Sequence, residues 1–388
     1  VNLALGILYA WSVIKGAIPD DWGWNNADKA LPYSVACAIF AAAMIPAGRM
    51  QDRFGPRLMI SVGGLFVGLG FIVAGLMGAS LAGFVLGFGV LGGIGIGCCY
   101  SSTTPPAVKW FPPARTGLIA GIVVGGFGLA PVYIAPLAKF LTGAYGISTS
   151  MLIFGGSFAL VILGFAQIIR NPKPEEAPKK PETPAGQSTA VSKVDRSWKE
   201  TLATPQFYIL WLMFFAGSAA GLTFISIAQD LGKKSLGELA FVAVAILAVG
   251  NASGRILAGF VSDRIGRPWT LFGTMLIQAA TVGLLFLLQG SSSIVLILLI
   301  IISIGANYGS NLALFPSSAK DFFGLKNFGL NYGLLFSAWG AAGLVMPIVN
   351  GRIKDATGAN DMSFAIIIGM LLIAAGLTFV SRKLAKTA

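Results

Sequence analysis

Apolar runs long enough to cross a lipid bilayer recur along this whole chain, and nothing else in it constrains the fold so tightly. A crossing helix needs about 20 residues. By that measure the sequence predicts twelve, at 1–19, 29–48, 57–78, 82–108, 115–141, 148–170, 205–229, 236–260, 268–289, 293–315, 326–351 and 361–382. Charged residues make up only 11% of the chain, against about 25% in soluble domains. The expected fold is an all-α integral membrane protein, and its 51 glycines suit closely packed helices. The chain enters apolar sequence at Val1 without a methionine, so a longer native first helix is expected rather than a cleaved signal peptide.

Between the sixth and seventh runs the composition changes to NPKPEEAPKKPETPAGQSTAVSKVDRSWKE. Its prolines and mixed charges cannot build a core, which makes 171–204 a flexible linker between a six-helix unit at 1–170 and another at 205–388. Thr204-Pro205 then suits a helix start. The net charge of +12 suggests nucleic acid only until the charges are placed. If the linker and both ends are cytoplasmic, the opposite loops hold only Lys29, Lys233, Lys234, Arg352 and Lys354, with Lys15 and Lys139 nearer that side. Arg255 lies inside the membrane, and the other 19 basic residues fall on the linker side. This is positive-inside patterning in a cell (inner) membrane, with the lipid bilayer as partner and no basic face for DNA or RNA. Cys37, Cys98 and Cys99 lie in apolar stretches without metal spacing, and histidine is absent. No metal, cofactor or enzymatic chemistry is expected: there is no nucleophile–base pair, phosphate loop or metal cluster.

The two halves repeat. GRMQDRFGPR at 48–57 and GFVSDRIGRP at 259–268 share the frame G-x-x-x-D-R-x-G at a spacing of 211 residues, each just after the second helix of its half. One copy alone is a positive-inside turn; two copies in register indicate internal duplication, as in many secondary transporters. Asp52, Arg53, Asp263 and Arg264 are then candidate gating residues, an aspartate pairing with an arginine or a helix N-terminus in a latch. Arg255 stands alone in AFVAVAILAVGNASGRILAG, at 240–259. An arginine near the bilayer centre costs about 2.5–3.5 kcal/mol on insertion scales. Such a cation usually faces a polar cavity and meets an anion, although snorkelling to the nearby loop is the plainer alternative. Asn251 lies one turn away on the same face.

The twin loops resemble the signature of the major facilitator superfamily, over essentially the whole chain. Within it, GILYAWSV (6–13), IGCCYSSTTPPAVKWFPPARTGLIAG (96–121), ALFPSSAKDFFG (313–324) and KNFGLNYG (326–333) are similar to the monocarboxylate transporter and oxalate–formate antiporter branch. That resemblance implies two six-helix bundles around a mid-membrane cavity, with Arg255 holding a substrate carboxylate. Many animal monocarboxylate carriers have an aspartate where this chain has Asn251, whose neutral amide cannot carry a proton. Tyr9, Tyr100, Tyr308 and Tyr332 come from the four cavity-lining helices of the superfamily; a packing or interfacial role is the alternative for each. Asn307 and Asn311 are weaker candidates.

Where the dicarboxylate exchangers have a lysine, this chain has Leu335, and one buried cation matches one carboxylate. Lys15 stands farther from the YAW segment than the functional lysine of some relatives, and is expected to reach the outer interface. Gly87-x-Gly89-x-x-Gly92 mimics a dinucleotide fingerprint without its strand; Gly89, Gly93 and Gly97 instead form a helix-packing face. Pro105-Pro106, Pro131 and Pro136 are expected kinks. The expected function is a monomeric secondary carrier of small monocarboxylates such as lactate or pyruvate by alternating access, with a proton riding on the substrate. Obligatory anion exchange and a non-translocating carboxylate sensor are the alternatives.

Overall fold

The computed structural model describes residues 1–111, 116–173, 175–176, 195–288, 293–324 and 327–387. Most of the linker expected at 171–204 falls on 177–194, outside them, as do residues 112–115 and Lys326 of the quoted segments. The elements are α1 (Asn2–Leu5), a 3₁₀ turn (Gly6–Ala10) and α2 (Trp11–Gly16), then α3 (Asn26–Phe54), α4 (Pro56–Met77) and α5 (Leu81–Phe84). A π-helical stretch (Val85–Gly92) leads into α6 (Gly93–Lys109), followed by α7 (Thr116–Leu129) and α8 (Pro131–Ala166). The second half holds α9 (Trp198–Leu202), α10 (Pro205–Leu236), α11 (Phe241–Ile265), α12 (Arg267–Leu287), α13 (Ile294–Phe323), α14 (Phe328–Thr357) and α15 (Asp361–Thr387).

Ten helices among the described residues are long and apolar enough to span a membrane. One of them, Ile119–Ala166, has 48 residues; at 1.5 Å each it is about 70 Å long, over twice a ~30 Å hydrocarbon core. It breaks at Gly146, where φ is +74°, and so makes two crossings. The opening segment Asn2–Gly16 supplies the twelfth. The bend falls at Gly146, while Pro131 opens α8 and Pro105, Pro106 and Pro136 lie inside helices.

Several helices outrun their expected ends. α10 continues to Leu236 rather than 229, and α13 and α14 to Phe323 and Thr357 rather than 315 and 351. Apolarity marks the lipid span, but the helix itself continues until a residue can leave it. That residue is Gly55, Gly237, Gly266, Gly324 or Gly358, each with φ between +53° and +88°, a conformation only glycine adopts readily. Gly55 and Gly266, the last glycines of the twin loops, share φ/ψ of 84°/163° and 88°/155°. The repeat is thus one of backbone conformation as well as of sequence.

The packing face Gly89, Gly93 and Gly97 lies on α3, where added methyls would meet Val35, Ile39 and Ala43 at 3.0, 2.9 and 2.8 Å. A closer approach joins α11 to α13. Methyls at Gly250 and Gly254 would overlap the carbonyls of Ile302 and Ala306, and at Gly305 and Gly309 those of Leu247 and Asn251. Two pairs of glycines, each a turn apart, let these backbones touch. The two halves meet where α3 packs on α14 and α7–α8 on α11.

Candidate functional site

The α11–α13 contact fixes Arg255 beside Tyr308. Arg255 is half-buried and turned inward rather than snorkelling: Nε donates to Asn251 Oδ1 at 3.1 Å and Nη1 to the Val124 carbonyl of α7 at 3.2 Å. That second bond crosses between the halves. A guanidinium has five N–H donors, so three remain beyond these two bonds. Among the described residues no carboxylate forms an ion pair with Arg255. Gly128 lies against Arg255 and Asn251; a methyl there would stand in ordinary contact, 3.5 Å from both Nη2 and Nδ2.

The four tyrosines gather around this charge. Tyr9, Tyr100, Tyr308 and Tyr332 all lie within the electrostatic reach of Arg255, and the Tyr100 phenol faces the guanidinium. Tyr9 sits in the 3₁₀ turn, whose tighter winding separates α1 from α2. Its hydroxyl is 2.7 Å from that of Tyr308, and Trp339 Nε1 donates to Tyr308 at 2.8 Å. Phe127 packs edge-on against both Tyr9 and Tyr100, with centroids 4.9 and 5.3 Å away. Phe40 bridges Tyr100 to Trp339, and Phe336 bridges Trp339 to Tyr332. The result is an aromatic ring drawn from both halves, with hydroxyls and a guanidinium as its polar points.

Sequence reasoning did not find Trp339, Phe40, Phe127, Phe336 or the Val124 carbonyl. Trp339 had a signal: tryptophan favours the membrane interface, yet it stands midway between Lys326 and Arg352. Leu335 is fully buried on the same face of α14 as Tyr332 and Trp339. Asn311 does not join this group. It is fully buried against Gly217 of α10, with neither amide atom hydrogen-bonded, because the register of α13 turns it away from α11. Asn307 donates back to the Ser303 carbonyl. A cavity of about 650 Å³ beside Asn2, Thr103, Pro106, Trp110 and Val123 contains none of the expected site residues.

Lys15 is buried, 7% exposed, at the end remote from the linker; its ammonium pairs with Asp230 of α10 at 3.4 Å and donates to the Ser226 carbonyl. The longer α10 is the reason, because it carries Asp230 on a helix, only 19% exposed, against the opposite half. With the helix expected to end at 229, Asp230 would open the following loop; it lies instead within α10. Lys354 and Lys233 also approach Asp230, at 3.6 and 3.3 Å. At the same end, Asp355 of α14 accepts the backbone N–H groups of Asn26 and Ala27 at the start of α3, and Lys139 pairs with Glu238. At the opposite end the twin loops are held within their own halves. Asp263 pairs with Arg267, which also reaches Asp321 of α13. Arg264 covers the Phe260 ring and Arg53 that of Phe54, while Asp52 is exposed.

The chain matches the family model described as the Major Facilitator Superfamily over residues 3–347. It is 29% identical over 343 residues to the MFS-type transporter YhjX of Escherichia coli (strain K12), across 87% of this chain and 82% of the relative. It is 28% identical over 384 residues to the oxalate:formate antiporter of Oxalobacter formigenes, across 98% of this chain and 89% of the relative. Its fold superposes with a TM-score of 0.71 on a bacterial homologue of the human lysosomal transporter Spinster, at 18% identity over 98% of this chain and 96% of that one. With twelve crossings, a doubled loop motif and two six-helix bundles meeting at a central arginine, the chain belongs to the major facilitator superfamily.

Proposed function

We propose that this chain carries small monocarboxylates of the lactate and pyruvate kind by alternating access between bundles at 1–170 and 205–388. The carrying observation is Arg255: a cation within the membrane-length span Gly237–Ile265, anchored by Asn251 and Val124, with donors left over and no carboxylate paired to it among the described residues. A carboxylate accepts a guanidinium's parallel N–H pair well, and the surrounding phenols add neutral donors. Leu335 and the aromatic ring suit a short apolar tail better than a second anionic group. The linker end and both termini face the cytoplasm in this reading, and the molecule acts as a monomer. The proton accompanies the substrate: protonation of its carboxylate weakens the pair with Arg255 and permits release.

In proteoliposomes, labelled lactate uptake is expected to accelerate under an inward proton gradient, and an unchanged rate removes the proton from the reading. The similarity to an oxalate:formate antiporter favours a second reading, obligatory anion exchange. Exchange needs unlabelled anion inside the vesicle, whereas symport does not. Thermal stabilisation of the purified protein by oxalate but by no monoacid would overturn the substrate class.

A further inference from the structure

We propose that Trp339 sets the direction of the hydrogen bonds through Tyr308, leaving the Tyr9 hydroxyl as a donor to the bound anion; this rests on the carboxylate-carrier reading above. An indole N–H only donates, so the 2.8 Å contact makes the Tyr308 oxygen an acceptor. Tyr308 is fully buried and has one proton of its own to place. The Tyr9 oxygen, 2.7 Å away, takes it. In the reverse order Tyr9 donates to Tyr308, whose own proton must then face the indole N–H, donor against donor, and an unmade buried donor is costly.

Tyr9 is therefore the accepting end of the chain, and its own proton points onward. Among the described residues no protein acceptor receives it. Tyr9 retains slight exposure, at 4%, and lies in the field of Arg255. An anionic oxygen held by Arg255 is the acceptor suited to that place. Trp339 touches no ligand in this arrangement and is a positioning residue. The relay also joins the halves, since Tyr9 belongs to the first and Tyr308 and Trp339 to the second.

Trp339→Phe keeps a ring against Phe40 and Phe336 but removes the N–H; Tyr9→Phe removes the terminal donor. Dissociation constants for L-lactate, with oxalate in parallel, are measured by thermal titration of the purified full chain. Tyr9→Phe is expected to weaken binding about tenfold, the loss of one hydrogen bond to a charged group. Trp339→Phe is expected to weaken it about threefold. The double variant is expected to bind no worse than Tyr9→Phe alone, because no donor is left to orient. Losses that multiply in the double variant, or a Trp339→Phe protein that binds like wild type, overturn the relay. If Trp339→Phe does not fold, Tyr308→Phe cuts the same relay at its middle and must show the same dependence on Tyr9. Wild-type protein that binds neither probe overturns the carrier reading; binding with independent losses overturns only the relay.

Discussion

The guanidinium of Arg255 offers a charge and a planar fork of donors together. Substituting Gln removes the charge and the fork that a carboxylate would grip. Hydrogen bonds to charged groups contribute about 1.5–3 kcal/mol each, so two of them amount to roughly a hundredfold or more in affinity. Arg255→Gln is expected to abolish uptake while the protein still elutes as a single folded species; wild-type uptake by that variant would remove Arg255 from the site. Arg255→Lys keeps the charge, but its ammonium cannot hold Asn251 and Val124 while presenting two parallel donors, and an intermediate loss is expected. Arg255, Asn251 and the four tyrosines were legible in the sequence because a charge, an amide or a hydroxyl stands out in apolar surroundings. Phe40, Phe127 and Phe336 were not, since phenylalanine in a membrane helix is ordinary until its register is known. The Val124 carbonyl has no sequence signature at all. Helical spacing relates Asn311 to Asn307 without saying which neighbour either one faces.

At the level of elements, the glycine contact between α11 and α13 decides where Arg255 stands. Glycine to alanine inside a helix ordinarily stabilises by about 1 kcal/mol. At Gly254 or Gly309 the new methyl would lie inside a carbonyl of the facing helix, and overpacking of that kind costs about 1–3 kcal/mol or more. The clash wins. Gly254→Ala and Gly309→Ala are expected to lower the melting temperature and weaken carboxylate binding together. Gly369→Ala in α15, with nothing within 4 Å, is expected to leave both unchanged or raise stability slightly. Equal behaviour of the three variants would mean that the contact does not position the site. Crossing helices were legible from apolar length, and the twin loops from their repeated frame. Helix ends were not, because α10, α13 and α14 run on past the lipid span to the first glycine that can reverse the chain. That error concealed Asp230.

For the molecule as a whole, the end remote from the linker is tied shut by Lys15 with Asp230, Asp355 with the start of α3, and Lys139 with Glu238. Removing one partner of a buried pair strands the other, at about 3–5 kcal/mol. The two sides of the first tie are unequal. Asp230→Asn leaves three ammonium groups without their carboxylate, whereas Lys15→Gln leaves Asp230 still served by Lys354 and Lys233. Cys37, fully buried on α3 against Gly343 of α14, reports the separation of the halves. With Cys98→Ser and Cys99→Ser as background, its alkylation by a small polar maleimide is expected to rise in both variants, more in Asp230→Asn. Rates equal to the parent protein would show that the tie does not hold this end closed. A last consequence belongs to the unmatched guanidinium. With an ionised carboxylate bound, the centre is electrically neutral when the halves come together; vacant, it must be sealed around a bare ion, at a cost of several kcal/mol. On the carrier reading proposed above, the empty stroke of the cycle is then the slower one, and such a molecule idles until cargo arrives to balance it.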